Sequence, residues 1–167
     1  MSASLLQSIR DLLTAGGASF REVRHEPTYT SEESARARGE ELRIGGKALL
    51  LRGDDAFALF VLPADCKIDS GAVRRELGFR KLRFASREEL LELTGLVPGS
   101  VPPFGRPILP FPLYVDTGIA ANDRIAFNAG SLTDSIILSV RDYLRLAAPV
   151  RIFGLSDTAG KVDTENR

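Results

Sequence analysis

Residues that most enzymes recruit for chemistry are scarce in this sequence. Histidine occurs once, as His25, and cysteine once, as Cys66. A single cysteine rules out an intramolecular disulfide framework and fits a reducing compartment. It supplies no Cys-x-x-Cys pair either, and beside one histidine it leaves a zinc site of the usual kind without a donor set. No metal and no cofactor are therefore expected. A serine or cysteine triad would have to use His25 as its base, and no Gly-x-Ser-x-Gly elbow accompanies it. Gly46-Lys47-Ala48 lacks the spacing of a phosphate-binding P-loop and the Ser or Thr that should follow its lysine. His25, just ahead of Glu26 and Pro27, reads as a hydrogen-bonded structural histidine or, equally, as a ligand contact.

An excess of either charge is missing as well, since 22 Lys plus Arg face 22 Asp plus Glu. With no global field to attract nucleic acid or a membrane surface, a polyanionic partner has to be met locally, and DNA is not expected. No apolar run approaches a membrane span, and residues 1–16 lack the basic start and continuous apolar core of a signal peptide. The expectation is a soluble, cytoplasmic protein with no membrane partner. At 167 residues, 44% hydrophobic and 26% charged, the chain suits one globular domain over residues 1–156. Residues 157–167 are small and polar and read as a flexible tail.

What is present is a regular alternation of elements. Leu5, Leu6, Ile9, Leu12 and Leu13 share one helix face that stops at Gly16-Gly17. A short strand is expected over residues 20–25. Thr30-Ser31-Glu32-Glu33 is a capping box for a helix ended by Gly39, with Ala35 and Ala37 on a small face. Two nearly continuous apolar runs, residues 47–52 and 56–62, flank Gly53-Asp54-Asp55 and predict a hairpin covered on both faces. Lys47 then stands at the mouth of a buried strand. Asp69 caps a helix with Val73 and Leu77, Leu82 and Phe84 form a brief strand, and Ser86-Arg87-Glu88-Glu89 is a second capping box leading to Gly95. Strands are expected over residues 111–115, 124–127, 135–138 and 150–153, with a helix capped by Ser139. Several strand pairs are joined too tightly for parallel crossovers, so the fold class is mixed α/β, a mixed and partly barrel-like sheet wrapped by helices.

The most informative stretch is Gly95-Leu96-Val97-Pro98-Gly99-Ser100-Val101-Pro102-Pro103-Phe104-Gly105. Its prolines fix φ while its glycines permit φ > 0, so the backbone is stiff and free to approach a ligand closely. Loops held between scaffold elements are where sites are usually built, although composition alone fits a structural connector.

Together with Thr30-Ser31-Glu32-Glu33-Ser34-Ala35, Lys47, the run from Arg80 to Ser86, Thr94 and Phe127-Asn128-Ala129-Gly130, that stretch resembles the YbaK-like aminoacyl-tRNA deacylases. These include the editing insertion of bacterial prolyl-tRNA synthetases and its free-standing relatives, and the likeness runs from about His25 to Val150. The resemblance implies hydrolysis of the ester that holds a wrong amino acid on the tRNA 3′ end, with no metal, no covalent intermediate and help from the ribose 2′-hydroxyl. It implies partners as well: the aminoacyl-tRNA 3′ acceptor end and, for some members, an aminoacyl-tRNA synthetase. Lys47 matches the family's functional lysine, which would engage the terminal adenosine and its phosphate. Gly99 and the turn through Ser100, Val101, Pro102, Pro103, Phe104 and Gly105 match the loop facing the ester. Lys47, Gly99 and Ser100 are thus the catalytic candidates, and Thr30, the rest of that loop, Asn128 and Gly130 the substrate-binding ones.

Some alanine-specific members carry a histidine near the position of Asn128, which leaves the amino acid removed here open. Asn128 reads as a contact to the substrate α-amino group or a water, or as a turn residue before Gly130. Asp134 and Ser135 read as pocket lining or as a strand start. Two other functions fit the same residues: an inactive module that binds an acceptor end or a synthetase, and an unrelated hydrolase of small nucleotides or esters.

Overall fold

Ser4 accepts the amide of Gln7 and opens helix α1, Leu5–Ala15, in the computed structural model, which describes residues 4–157. Ile9 and Leu13 on its inner face are fully buried, as the leucine spacing requires. Strand β1, Phe20–Arg24, is followed by α2, Ser31–Arg38, which Gly39 ends in the left-handed conformation. Thr30 caps the Glu33 amide as expected, but the Glu33 carboxylate reaches back to Tyr29 N–H, one residue earlier than a capping box predicts. A 3-10 turn, Leu42–Ile44, leads into the hairpin of β2, Gly46–Gly53, and β3, Ala56–Pro63.

That hairpin is the spine of the larger sheet. Helices α3, Ser70–Leu77, and α4, Arg87–Thr94, flank the short β5, Leu82–Phe84. Ser86 and Glu89 complete a true capping box on α4. With β6, Leu113–Asp116, and β9, Arg151–Phe153, the order is β5-β2-β3-β6-β9, antiparallel through the first three strands and parallel through the last three. The second sheet joins β1 to β7, Arg124–Asn128, through β8, Asp134–Ser139, all antiparallel. Helix α5, Thr117–Ala120, follows β6, and α6, Val140–Ala147, is capped by Ser139.

Alternate residues of β3 divide between two cores. Leu59 and Val61 join the main core with Phe104, Phe127 and Tyr143, while Phe60 and Leu62 join a second core with Val73 and Phe153. A strand buried on both faces has no polar alternation, which is why its run is continuously apolar. The mixed α/β class is as expected. The sheets stay open among the described residues and do not close into a barrel; the larger two share the main core and a parallel bridge, Gly45↔Ala126.

Some boundaries differ for local reasons. The strand expected from Phe111 begins at Leu113, because Pro112 has no N–H for a ladder and contributes its carbonyl to Leu59 N–H instead. A two-stranded ribbon of β4, Lys67–Ile68, and β10, Ser156–Asp157, was not legible, two residues being too few for a period. Asp157 therefore lies in a strand, and the remainder of the expected tail is outside the described residues. No helix among the described residues is long and apolar enough to cross a membrane.

Candidate active site

The loop after α4 folds first into a tight turn. Ser100 N–H donates to Val97 carbonyl at 3.1 Å across Pro98 and Gly99, and Gly99 takes φ +90°. Proline at the second position and a positive-φ glycine at the third are the requirements of a type II turn. The Ser100 hydroxyl donates to the same carbonyl at 2.8 Å, and its residue is 2% exposed. The neighbouring strand fastens the turn: Asn128 Nδ2 donates to Gly99 carbonyl at 2.7 Å, and Gly130 N–H to Ser100 carbonyl at 3.0 Å.

Beyond Val101 the loop turns inward. Pro102, Pro103, Phe104 and Gly105 are buried. The Phe104 ring packs edge-on against Phe127 and Tyr143, and Tyr143 donates its hydroxyl to Pro103 carbonyl at 2.6 Å. A Cβ on Gly105 would stand 2.5 Å from Phe111 carbonyl, so this glycine serves close packing within the protein.

One cleft of about 180 Å³ gathers much of what remains. That is far more than the ~15 Å³ one water needs. Lys47, Thr30, Gly99, Val101 and Asn128 line it, together with Thr28, Tyr29, Ser34 and Arg38. Of the candidates from sequence, the structure brings these first five together. It places Ser100 and Gly130 behind the turn, and residues 102–105 in the core.

Lys47 makes no hydrogen bond or ion pair among the described residues, and burial holds its ammonium below the ordinary lysine range, opposed by Cys66 and Asp65. Arg38 is more deeply placed, 8% exposed, donating through Nε to Ser135 Oγ at 2.9 Å and through Nη2 to Asn128 Oδ1 at 3.0 Å. Burial pushes its guanidinium down to about 10, against the pull of Glu40, so it stays charged at neutral pH. Tyr29 is 74% exposed at the rim, and Thr28 and Ser34 share a hydrogen bond of 2.7 Å on the wall. Arg38 and Tyr29 were not singled out from sequence. The one signal for Arg38 was its position a full turn beyond Ser34 on the same helix face.

His25 is hydrogen-bonded at both ring nitrogens, to Glu26 carbonyl at 2.9 Å and to Ser135 Oγ at 2.8 Å. This is a serine–histidine contact without a nucleophile's access, because Ser135 is 1% exposed and already takes a hydrogen bond from Arg38. Asp134 opens β8 and accepts from the Ser131 and Thr133 hydroxyls, and neither Asp134 nor Ser135 lines the cleft. Among the described residues no group of three His, Cys, Asp or Glu is placed to hold a metal ion.

The model of the aminoacyl-tRNA editing domain family matches residues 25–146. The chain is 39% identical over 149 residues to the Multifunctional Ser/Thr-tRNA deacylase ProXp-y of Escherichia coli (strain K12), an alignment spanning 86% of this chain and 88% of that one. It is 36% identical over 100 residues to a proline–tRNA ligase of Shouchella clausii (strain KSM-K16), spanning 60% of this chain and 17% of the ligase. In three dimensions it matches a crystal structure described as a candidate trans-editing enzyme for prolyl tRNA synthetase, with TM-score 0.79 and 26% identity, covering 94% of this chain and 99% of the other.

Proposed function

The chain belongs to the aminoacyl-tRNA editing domain family, and from that premise we propose that it is a deacylase acting in trans on mischarged aminoacyl-tRNA. The observation that carries this reading is the convergence in one cleft of Lys47, whose ammonium makes no hydrogen bond or ion pair among the described residues, with the positive-φ turn at Gly99. Neither Gly99 N–H nor Val101 N–H finds a main-chain acceptor among the described residues, while Gly99 and Val101 both line the cleft. They are the donors available to a carbonyl oxygen as it gains negative charge.

In this reading Lys47 engages the terminal adenosine and its phosphate, and exposed Tyr29 offers a ring face to the base. Water adds to the ester carbonyl, the oxyanion is held by the two N–H groups, and the C–O bond to the ribose breaks. The leaving oxygen takes up the proton that the water gives up, relayed by the ribose 2′-hydroxyl. Free amino acid and a tRNA with a free 3′-hydroxyl result. An aminoacyl ester is already activated, so positioning and oxyanion stabilisation supply the acceleration without a metal, a cofactor or a covalent intermediate. The Ser100 hydroxyl is spent on Val97 carbonyl, so Ser100 supports the turn and does not attack the ester.

For the amino acid, the hydroxyls of Thr28, Thr30 and Ser34 suit a small hydroxylated side chain, in keeping with the Ser/Thr named for the Escherichia coli relative. We place the reaction in the cytoplasm, in a single domain that runs through β10 to Asp157, with an aminoacyl-tRNA synthetase as the partner that supplies tRNA. A deacylation screen with Ser-, Thr-, Ala-, Cys- and Pro-charged tRNA tests this. Seryl and threonyl esters are expected to be cleaved fastest; absence of cleavage of any charged tRNA refutes the function, and preference for alanyl or prolyl ester refutes the specificity.

A further inference from the structure

Arg38 sits at the back of the cleft with no direct ion pair among the described residues, only the more distant pull of Glu40. Among the described residues no carboxylate lies within ion-pairing distance of it, since nearby Glu40 pairs with Arg21 and Arg124 instead. A guanidinium buried among neutral groups is costly, and an apolar side chain of similar volume would pack there with less desolvation. Stability alone does not account for it.

Its hydrogen bonds do. Arginine carries only donors, so the Asn128 atom that it meets at 3.0 Å is the oxygen. A carbonyl only accepts, so the Asn128 atom that meets Gly99 carbonyl at 2.7 Å is the amide nitrogen. Both ends impose the same orientation on one carboxamide. A flipped Asn128 would set NH₂ against the guanidinium and oxygen against oxygen. The Ser135 hydroxyl, which accepts from Arg38 Nε, also stands 3.1 Å from Asn128 Oδ1.

We propose that Arg38 is a positioning residue of the editing site: by fixing the Asn128 carboxamide it holds Gly99 carbonyl, and with it the turn whose N–H groups face the ester. The connection runs from the last turn of α2 through the end of β7 to the loop after α4, three elements far apart in sequence. It also reassigns Asn128. A substrate α-ammonium would compete with a fixed guanidinium for the same oxygen and be repelled by it, so α-amino recognition lies elsewhere in the cleft.

The kinetic consequence rests on the deacylase reading; the structural one does not. Arg38→Met, Arg38→Lys, Asn128→Ala and the Arg38→Met/Asn128→Ala double variant are compared for kcat, KM and amide exchange in residues 99–101. Misplacing catalytic donors by an ångström costs about 10- to 100-fold in rate, so kcat is expected to fall by that much in Arg38→Met and Asn128→Ala with KM within about twofold. The double variant is expected to be no slower than the slower single one, because both act through one link. Amide exchange in the turn is expected to rise in each. Arg38→Lys keeps the charge but reaches only one of the two acceptors, so it is expected to lose rate despite its charge, and it carries the test if Arg38→Met does not fold. Losses that multiply, a raised KM with kcat kept, full activity of Arg38→Lys, or unchanged exchange overturns the proposal. If the wild-type protein cleaves no aminoacyl-tRNA, the deacylase reading fails, and the exchange data alone still decide the positioning role.

Discussion

Two single residues carry most of the proposed chemistry, and each makes a distinct demand. Lys47 is held below the ordinary lysine range first by burial. Its working form is the cation, so a depressed pKa means that the charge is lost earlier on the alkaline side than from a surface lysine. Deacylation is expected to be flat near neutrality and to fall as pH rises through the lowered Lys47 value. Lys47→Arg, if folded, moves that fall to higher pH, and an unchanged alkaline limb in a pH–rate profile of this variant excludes Lys47 as its cause. Lys47→Ala is expected to fold and lose at least about tenfold in kcat/KM, which corresponds to ~1.4 kcal/mol of transition-state stabilisation. At Gly99 the obstacle to a side chain is φ, not space, because an added Cβ would come no closer than 3.5 Å to Leu132. Gly99→Val places a β-branched residue at φ +90° and is expected to displace the turn. Ser100→Ala removes two local hydrogen bonds, both to the Val97 main chain and each worth about 1 kcal/mol. Measured rates should rank Ser100→Ala well above Gly99→Val, and the opposite order returns the chemistry to Ser100.

Among the elements, α2 and α6 each hold a different part of the site. Helix α2 carries Ser34 and Arg38 to the cleft wall, and its start is fixed by the Thr30 hydroxyl on Glu33 N–H. Helix α6 reaches the loop through Tyr143, whose fully buried hydroxyl donates to Pro103 carbonyl. Tyr143→Phe leaves that carbonyl without its donor and is expected to cost about 1–3 kcal/mol. For a protein of this size each kcal/mol moves Tm by roughly 2–4 °C, so a Tm equal to wild type within 1 °C, on the order of experimental error, shows the bond to be worth nothing net. Such ties explain what was readable locally. Ser86-Arg87-Glu88-Glu89 and Ser139 announce helix starts because a cap is a contact over three residues. The Pro103–Tyr143 tie spans forty residues, and no local pattern encodes it.

For the whole molecule, the proposed deacylase function and the balanced charge together predict that tRNA is gripped only near its 3′ end. Each neutralised single-strand phosphate contributes about −0.7 to the slope of log K against log salt, so two or three contacts predict roughly −1.5 to −2. An acceptor-stem mimic bearing the ester is accordingly expected to be cleaved nearly as well as full tRNA. A much steeper slope in a salt titration, with little activity on the mimic, marks an extended basic surface. By itself the sequence determined the order of the longer helices and strands, the twofold-buried hairpin, the stiff Pro/Gly loop and the prominence of Lys47, because caps and apolar runs are local necessities, while the β4–β10 ribbon and the one-turn α5 are too short to leave a pattern. Only the tertiary structure decided that Phe104 and Gly105 face the core while Gly99 and Val101 face the cleft, since a Pro/Gly-rich run has no period from which to read a side. It also decided that Arg38 is buried behind Asn128. An arginine on a polar helix reads as solvated until β7 and β8 are packed against it, and that packing depends on contacts about ninety residues apart.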